Sequence, residues 1–251
     1  MLSIKTVRMS KRSKQIRIGT CGFRIGKEAY ARKLSTVEIQ HTFYTPPSIA
    51  TLKRWRSEMP SNFEFTLKAW QLITHESSSP TYRRIKKPLS EKVIKEAGSF
   101  SWTATVRDAW NATLDAAETL EARTVLFQCP ATFIPSPRNV RRMRKFFSSI
   151  DRCGKNLAWE PRGPMWKDVT ISNLCKELDL WHAVDPFARH STTPTHCYFR
   201  MHGRVRWRYT YEVTELEELA TLLPRRDLSY VFFNNITMID DALSFQSIVR
   251  G

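Results

Sequence analysis

The chain has 251 residues, enough for one large α/β domain or two small ones. Hydrophobic residues make up 41% and charged residues 25%, an ordinary balance for a globule, and no apolar run reaches the length of a membrane span. Forty Lys and Arg against twenty-four Asp and Glu leave +16. Such an excess points to a polyanionic partner, although a solvated basic surface accounts for it equally.

Residues 1–15 carry Lys5, Arg8, Lys11, Arg12 and Lys14 and no acid, and read as a disordered basic tail without the apolar stretch of a signal peptide. From residue 16 onward one domain is expected. The first strand is 16–20 (IRIGT) and the second 36–40 (TVEIQ). A helix over 48–59 opens on Ser48, with Leu52 and Trp55 spaced three apart. Strand three, 63–69 (FEFTLKA), leads into a long excursion, 70–104, holding one short helix near 90–97. The next helix, 105–122, places Val106, Ala109, Trp110, Leu114, Ala117 and Leu120 on one face, before strand four at 124–128. The helix over 136–150 buries Val140, Met143, Phe146 and Phe147 and exposes its arginines. Strands five (156–160), six (180–185) and seven (197–202) follow, with no helix expected in the crossover 186–196. A helix over 214–223 begins with a capping-box pattern, Thr214 with Glu217. Strand eight is 230–235, and a helix over 239–249 closes the chain.

The strand centres are almost continuously apolar, as parallel strands covered on both faces require. Eight strands alternating with helices fit a single (β/α)8 TIM-like barrel, with one irregular crossover and one long excursion. Five scattered cysteines without CxxC spacing fit a reducing cytosol.

A barrel of this kind builds its site where the strands end. Here the ends are polar: Glu38 with His41 and Tyr44, Lys68 with His75 beyond, Gln128, Glu160 with Arg162, Asp185, Arg200 with His202, and Asn234–Asn235. Each residue alone is also explained as a satisfied structural group or a turn former. Together they define a pocket wall. Glu38, Glu160, Asp185 and His202 are the candidates for proton transfer. Lys68, Arg162 and Arg200 would neutralise a phosphate or carboxylate, and His41, Tyr44, His75, Gln128, Asn234 and Asn235 complete the substrate-binding set. The acids and His202 also make a divalent-metal set, but HxH and HExxH spacings are absent and three cations compete for the carboxylates. No other cofactor is evident, since there is no P-loop, GxGxxG or GxSxG. Cys21 beside Arg24 is a nucleophile only in outline.

A rival reading is nucleic-acid binding without catalysis. Loops 82–87 and 204–209 interleave aromatic and basic residues, and Tyr82, Arg83, Arg84, Arg204 and Trp207 would form the rim. The expected partner is therefore an anionic small molecule or a nucleic acid, not a membrane.

Several segments also resemble one family. Gly19-Thr20-Cys21-Gly22-Phe23 resembles the G-T-S-G-W start of the YecE-like proteins, catalogued as domain of unknown function 72. Val37-Glu38-Ile39 with Thr42-Phe43-Tyr44 resembles its V-E-I-N-S-T-F-Y, and Lys68-Ala69 with Ile73-Thr74-His75 its K-A-x-x-x-I-T-H. Segments 126–133 (LFQCPATF), 159–162 (WEPR), 198–204 (YFRMHGR) and 230–235 (YVFFNN) are similar to further family motifs, in order, so the resemblance covers almost the whole chain. It implies a TIM barrel and no particular activity. Gln40-His41 stands where the family has Asn-Ser, Cys21 where it has Ser, and Gly163-Pro164 departs from the family pattern, which implies an altered pocket wall.

Overall fold

A computed structural model describes residues 15–85, 87–224 and 228–250. Residues 1–14 of the expected tail lie outside the described residues, as does Lys86; Gln15, expected in the tail, begins the first strand. The strands are β1 (Gln15–Cys21), β2 (Thr36–Ile39), β3 (Glu64–Lys68), β4 (Thr124–Gln128), β5 (Asn156–Glu160), β6 (Trp181–Val184), β7 (Cys197–Met201) and β8 (Leu228–Phe233). Each pairs in parallel with the next, and β8 returns to β1 with Val231 opposite Ile18, closing a TIM barrel.

Successive side chains of a strand point to opposite faces, and this splits every strand between two environments. In β7, Cys197, Phe199 and Met201 pack into the layer beneath the helices, while Tyr198 joins Leu126, Ala158, Tyr230 and Phe232 inside the barrel. The same alternation turns Glu38, Lys68, Gln128, Glu160 and Arg200 inward at the strand ends. Gly19 is required on β1, because a Cβ there would strike the Thr36 carbonyl.

The helices are α1 (Lys27–Ala31), α2 (His41–Tyr44), α3 (Ile49–Ser57), α4 (Gln71–Thr74), α5 (Glu91–Glu96), α6 (Ala104–Thr119), α7 (Pro137–Ser149), α8 (Asp168–Glu177), α9 (Val213–Thr221) and α10 (Met238–Arg250). Ser48, Thr103 and Ser136 cap α3, α6 and α7 by accepting from backbone N–H groups, each cap stabilising its helix by about 1 kcal/mol. The capping box of α9 is Glu212 with Glu215, two residues earlier than the Thr214–Glu217 pattern suggests. As expected, no helix fills 186–196. Among the described residues no helix is long and apolar enough to cross a membrane.

The excursion after β3 is pinned rather than loose. Ser99 and Phe100 both have φ of 53°, a left-handed conformation costing each roughly 1–2 kcal/mol. That cost is offset because the turn drives Phe100 into a cluster with Phe127, Phe133, Phe146 and Phe147. The anchored excursion is thereby held over the C-terminal mouth of the barrel.

Candidate active site

The strand ends converge on Arg200, whose side chain is only 1% exposed. Its Nε donates to Glu38 Oε2 at 3.0 Å and its Nη2 to Glu38 Oε1 at 2.9 Å, a two-pronged pair. Nη1 donates to Glu160 Oε2 at 2.5 Å and reaches Gln128 Oε1 at 3.3 Å. Glu38 is wholly buried and accepts further bonds from Tyr198 Oη at 2.7 Å, Cys21 Sγ at 3.2 Å and Gln40 Nε2. Glu160 Oε1 accepts from Arg162 Nε at 2.9 Å. Strand register builds this network, setting Cys21 beside Glu38 and Gln128 beside Glu160.

Burial alone would raise both carboxyls. The Arg200 charge outweighs it, helped by Lys68 at Glu38 and by Arg162 at Glu160, so both are held below the ordinary carboxylate range. Neither carries a proton at neutral pH, and neither serves as a general acid. Burial works against the Arg200 charge, but Glu160 and Glu38 prevail and raise its pKa. Burial, then Glu38, pushes the Cys21 thiol well up, which removes it as a nucleophile.

Lys68 differs from the rest. Burial first and Arg200 second lower its amine to about 7, against the pull of Glu38 and Glu160. Nζ donates to Gln128 Oε1 at 2.6 Å and lies 3.9 Å from the centre of the Phe43 ring. Among the described residues it has no carboxylate ion-pair partner, because Arg200 engages both acids.

Lys68 and Arg200 lie at a pocket of about 450 Å³. Five cationic residues line it, Arg24, Lys68, Arg84, Arg162 and Arg200, and no acidic one does. His41, Tyr44, Gln128 and Asn234 line it too. Arg84 comes from the excursion, where its Nη1 donates to Tyr44 Oη at 2.7 Å. Gln40, expected in the wall beside His41, lines the pocket as well, whereas Arg24 and Thr81 were missed; Arg24 follows the end of β1, Thr81 sits in the excursion, and no motif marks them. Tyr198 was missed as a partner of Glu38, although the spacing 198, 200, 202 on β7 puts it on the inward face.

Other candidates have identifiable hydrogen-bond partners. Asp185 accepts from the backbone N–H of Phe187 at 3.1 Å and of His202 at 3.0 Å, which shapes two loops and leaves it outside the pocket wall. His202 Nε2 lies 3.4 Å from both Arg200 Nη1 and Arg162 Nη2, so it faces two donors and acts as their acceptor. His75 is buried, bonds Thr74 Oγ1 through Nδ1 at 2.8 Å, and is pushed down to about 3 by burial and then by Lys68, so it is neutral. Asn235 donates to Tyr209 O at 2.7 Å and to Asp241, tying α10 to the β7–α9 loop.

The expected rim divides. Tyr82 Oη donates to His75 O at 2.8 Å, so the ring is a brace for the excursion. Arg204 is paired with Glu215 and Glu218 and lies over Phe187, which occupies its charge. Arg83 is exposed, and Trp207 is 55% exposed beneath Arg208. The Glu38, Glu160, Asp185 and His202 set does not fit a divalent metal: Arg200 lies between the two glutamates, and Asp185 is engaged with backbone amides. Among the described residues no group of three or more His, Cys, Asp or Glu gathers that could hold an ion.

Fold and site together define a TIM-barrel protein whose mouth holds a buried arginine–carboxylate network under a cation-lined pocket. The chain belongs to the family described as protein of unknown function DUF72, whose model matches residues 27–250. A DUF72 family protein from Enterococcus faecalis V583 superposes with a TM-score of 0.72 at 21% identity, over 94% of this chain and 96% of that one. One from Thermotoga maritima MSB8 gives 0.68 at 22% identity, over 94% of this chain and 100% of its own. A D-psicose 3-epimerase crystallised in the presence of D-fructose gives 0.58 at 12% identity, over 96% and 100%. At these identities the likeness is one of fold. Among curated proteins none matches the sequence.

Proposed function

We propose that the chain is an enzyme that binds an anionic substrate, phosphorylated or carboxylated, and that Lys68 is its proton-transfer group. One observation carries the reading: five cationic residues line the pocket, while the nearby acids, Glu38 and Glu160, are already committed to arginines. Arg24 and Arg84 are exposed and Arg162 is half-buried, and these forks suit the anion, since a guanidinium grips phosphate or carboxylate through two N–H groups. Arg200 is held in place by Glu38 and Glu160, which offset its charge, so it orders the pocket floor rather than gripping the anion. Proton transfer moves from the four residues favoured by sequence to Lys68, because an amine near neutrality both accepts and returns a proton at pH 7. Glu38, Glu160 and His202 act as positioning residues.

The second reading, a nucleic-acid phosphate at the same mouth, draws support from Trp207, exposed beside Arg208 and able to stack on a base. Calorimetric titration with pyrophosphate and with a single-stranded oligonucleotide, each at two salt concentrations, separates the two. The small-anion reading expects pyrophosphate binding that weakens about tenfold in Arg162→Gln or Arg84→Gln. Oligonucleotide binding alone, with a steep salt dependence and insensitive to Arg162→Gln, would overturn it in favour of the second reading.

A further inference from the structure

We infer that Lys68 is an amine nucleophile, and that the pocket takes a small aldehyde or ketone bearing a phosphate or carboxylate, which Lys68 captures as an imine. The inference rests on the anion-binding reading and gives the same amine a covalent role in place of proton transfer.

Four features of the site point there. The Lys68 amine borders the pocket yet is held by a neutral acceptor, the Gln128 amide oxygen at 2.6 Å, and not by a carboxylate. A lysine meant as a charge partner would compete for Glu38 or Glu160, and Arg200 holds both. The Phe43 ring, 3.9 Å from Nζ, covers one side of the amine with an apolar wall. The cations that line the same pocket supply a handle for the anionic end of the substrate and a field for the oxygen charge that develops. A lowered amine pKa leaves the unprotonated form populated at neutral pH, where exposed lysines are almost wholly protonated.

The step balances without an added oxidant or reductant. The Nζ lone pair attacks the carbonyl carbon, the C–N bond forms, and the C=O π pair moves to oxygen. A proton passes from nitrogen to that oxygen, giving a carbinolamine. A proton from solvent joins the hydroxyl, and cleavage of the C–O bond releases water and leaves the iminium.

The test uses two probes, pyridoxal 5′-phosphate for the phosphate arm and glyoxylate for the carboxylate arm, each with cyanoborohydride to reduce the imine to a secondary amine. Peptide mapping of the wild-type chain then locates the label without any variant. The expected result is labelling concentrated at Lys68 by at least one probe, suppressed by pyrophosphate. With pyridoxal 5′-phosphate, omission of its phosphate (pyridoxal) or Arg84→Gln should slow labelling about tenfold. Lys68→Arg should remove the label. Label spread over surface lysines and indifferent to pyrophosphate overturns the inference. If pyrophosphate binds the pocket and Lys68 stays unlabelled by both probes, the imine fails and anion binding stands; if pyrophosphate does not bind either, both fail.

Discussion

Replacing Glu38 by Gln removes one charge from the most buried ion pair of the site. Glu38 has no exposed surface, and both its oxygens accept from Arg200, with Tyr198, Cys21 and Gln40 adding further bonds. A glutamine keeps one acceptor oxygen but turns an NH2 group toward donors, so at least one arm of the guanidinium faces another donor. Breaking a buried pair on one side costs about 3–5 kcal/mol, because the remaining charge stays desolvated. At about 2–4 °C per kcal/mol for a chain of this size, the melting temperature should fall by about 6–20 °C. Glu160→Gln is the control: it leaves the two-pronged Glu38–Arg200 pair intact, so its loss should be smaller. Thermal and urea denaturation followed by circular dichroism measure both. A Glu38→Gln protein within about 1 kcal/mol of wild type, or a larger loss in Glu160→Gln, would refute the view that Arg200 is anchored chiefly by Glu38.

Other expectations concern pH and the residues placed outside the pocket. The Lys68 amine is lowered to about 7 in the folded chain from 10.5, so between those values the unfolded chain binds more protons and stability rises with pH. The penalty is fully present below pH 7, on the order of 5 kcal/mol, and Lys68→Met should lack this rise when urea midpoints are compared at pH 7 and 9.5. Asn235→Ala should cost about 1–3 kcal/mol through its lost bonds to Tyr209 and Asp241, with pyrophosphate affinity unchanged. Arg204→Ala should change stability by at most about 1 kcal/mol, as expected for a partly exposed ion pair, and leave pyrophosphate binding as it was.

All eight strands were legible because β-branched and aromatic runs of strand length are separated by amphipathic helices, the pattern a parallel barrel needs. The helix α8 was not, since its N-cap is Lys167 without a side-chain cap and its first turn contains the β-branched Val169 and Thr170. The strand ends identified the mouth, but sequence could not tell which polar groups face the pocket. Asp185 and Asn235 stand at strand ends like Lys68, yet their partners come from Phe187, His202, Tyr209 and Asp241, contacts that only the folded loops create. That cations pair with the acids is expected from the sequence; that Arg200 stands between Glu38 and Glu160 is not. Its position follows from alternation on β7, its role from the way Glu38 of β2 and Glu160 of β5 converge on it inside the barrel mouth.

The most direct test of the account is to follow the Lys68 side chain by NMR through a pH titration, with and without pyrophosphate, assigning the signal with Lys68→Arg. The account predicts a midpoint near pH 7 that moves upward when pyrophosphate binds, because the added negative charge favours the ammonium. A midpoint near the ordinary lysine value of 10.5, unmoved by pyrophosphate, would contradict it.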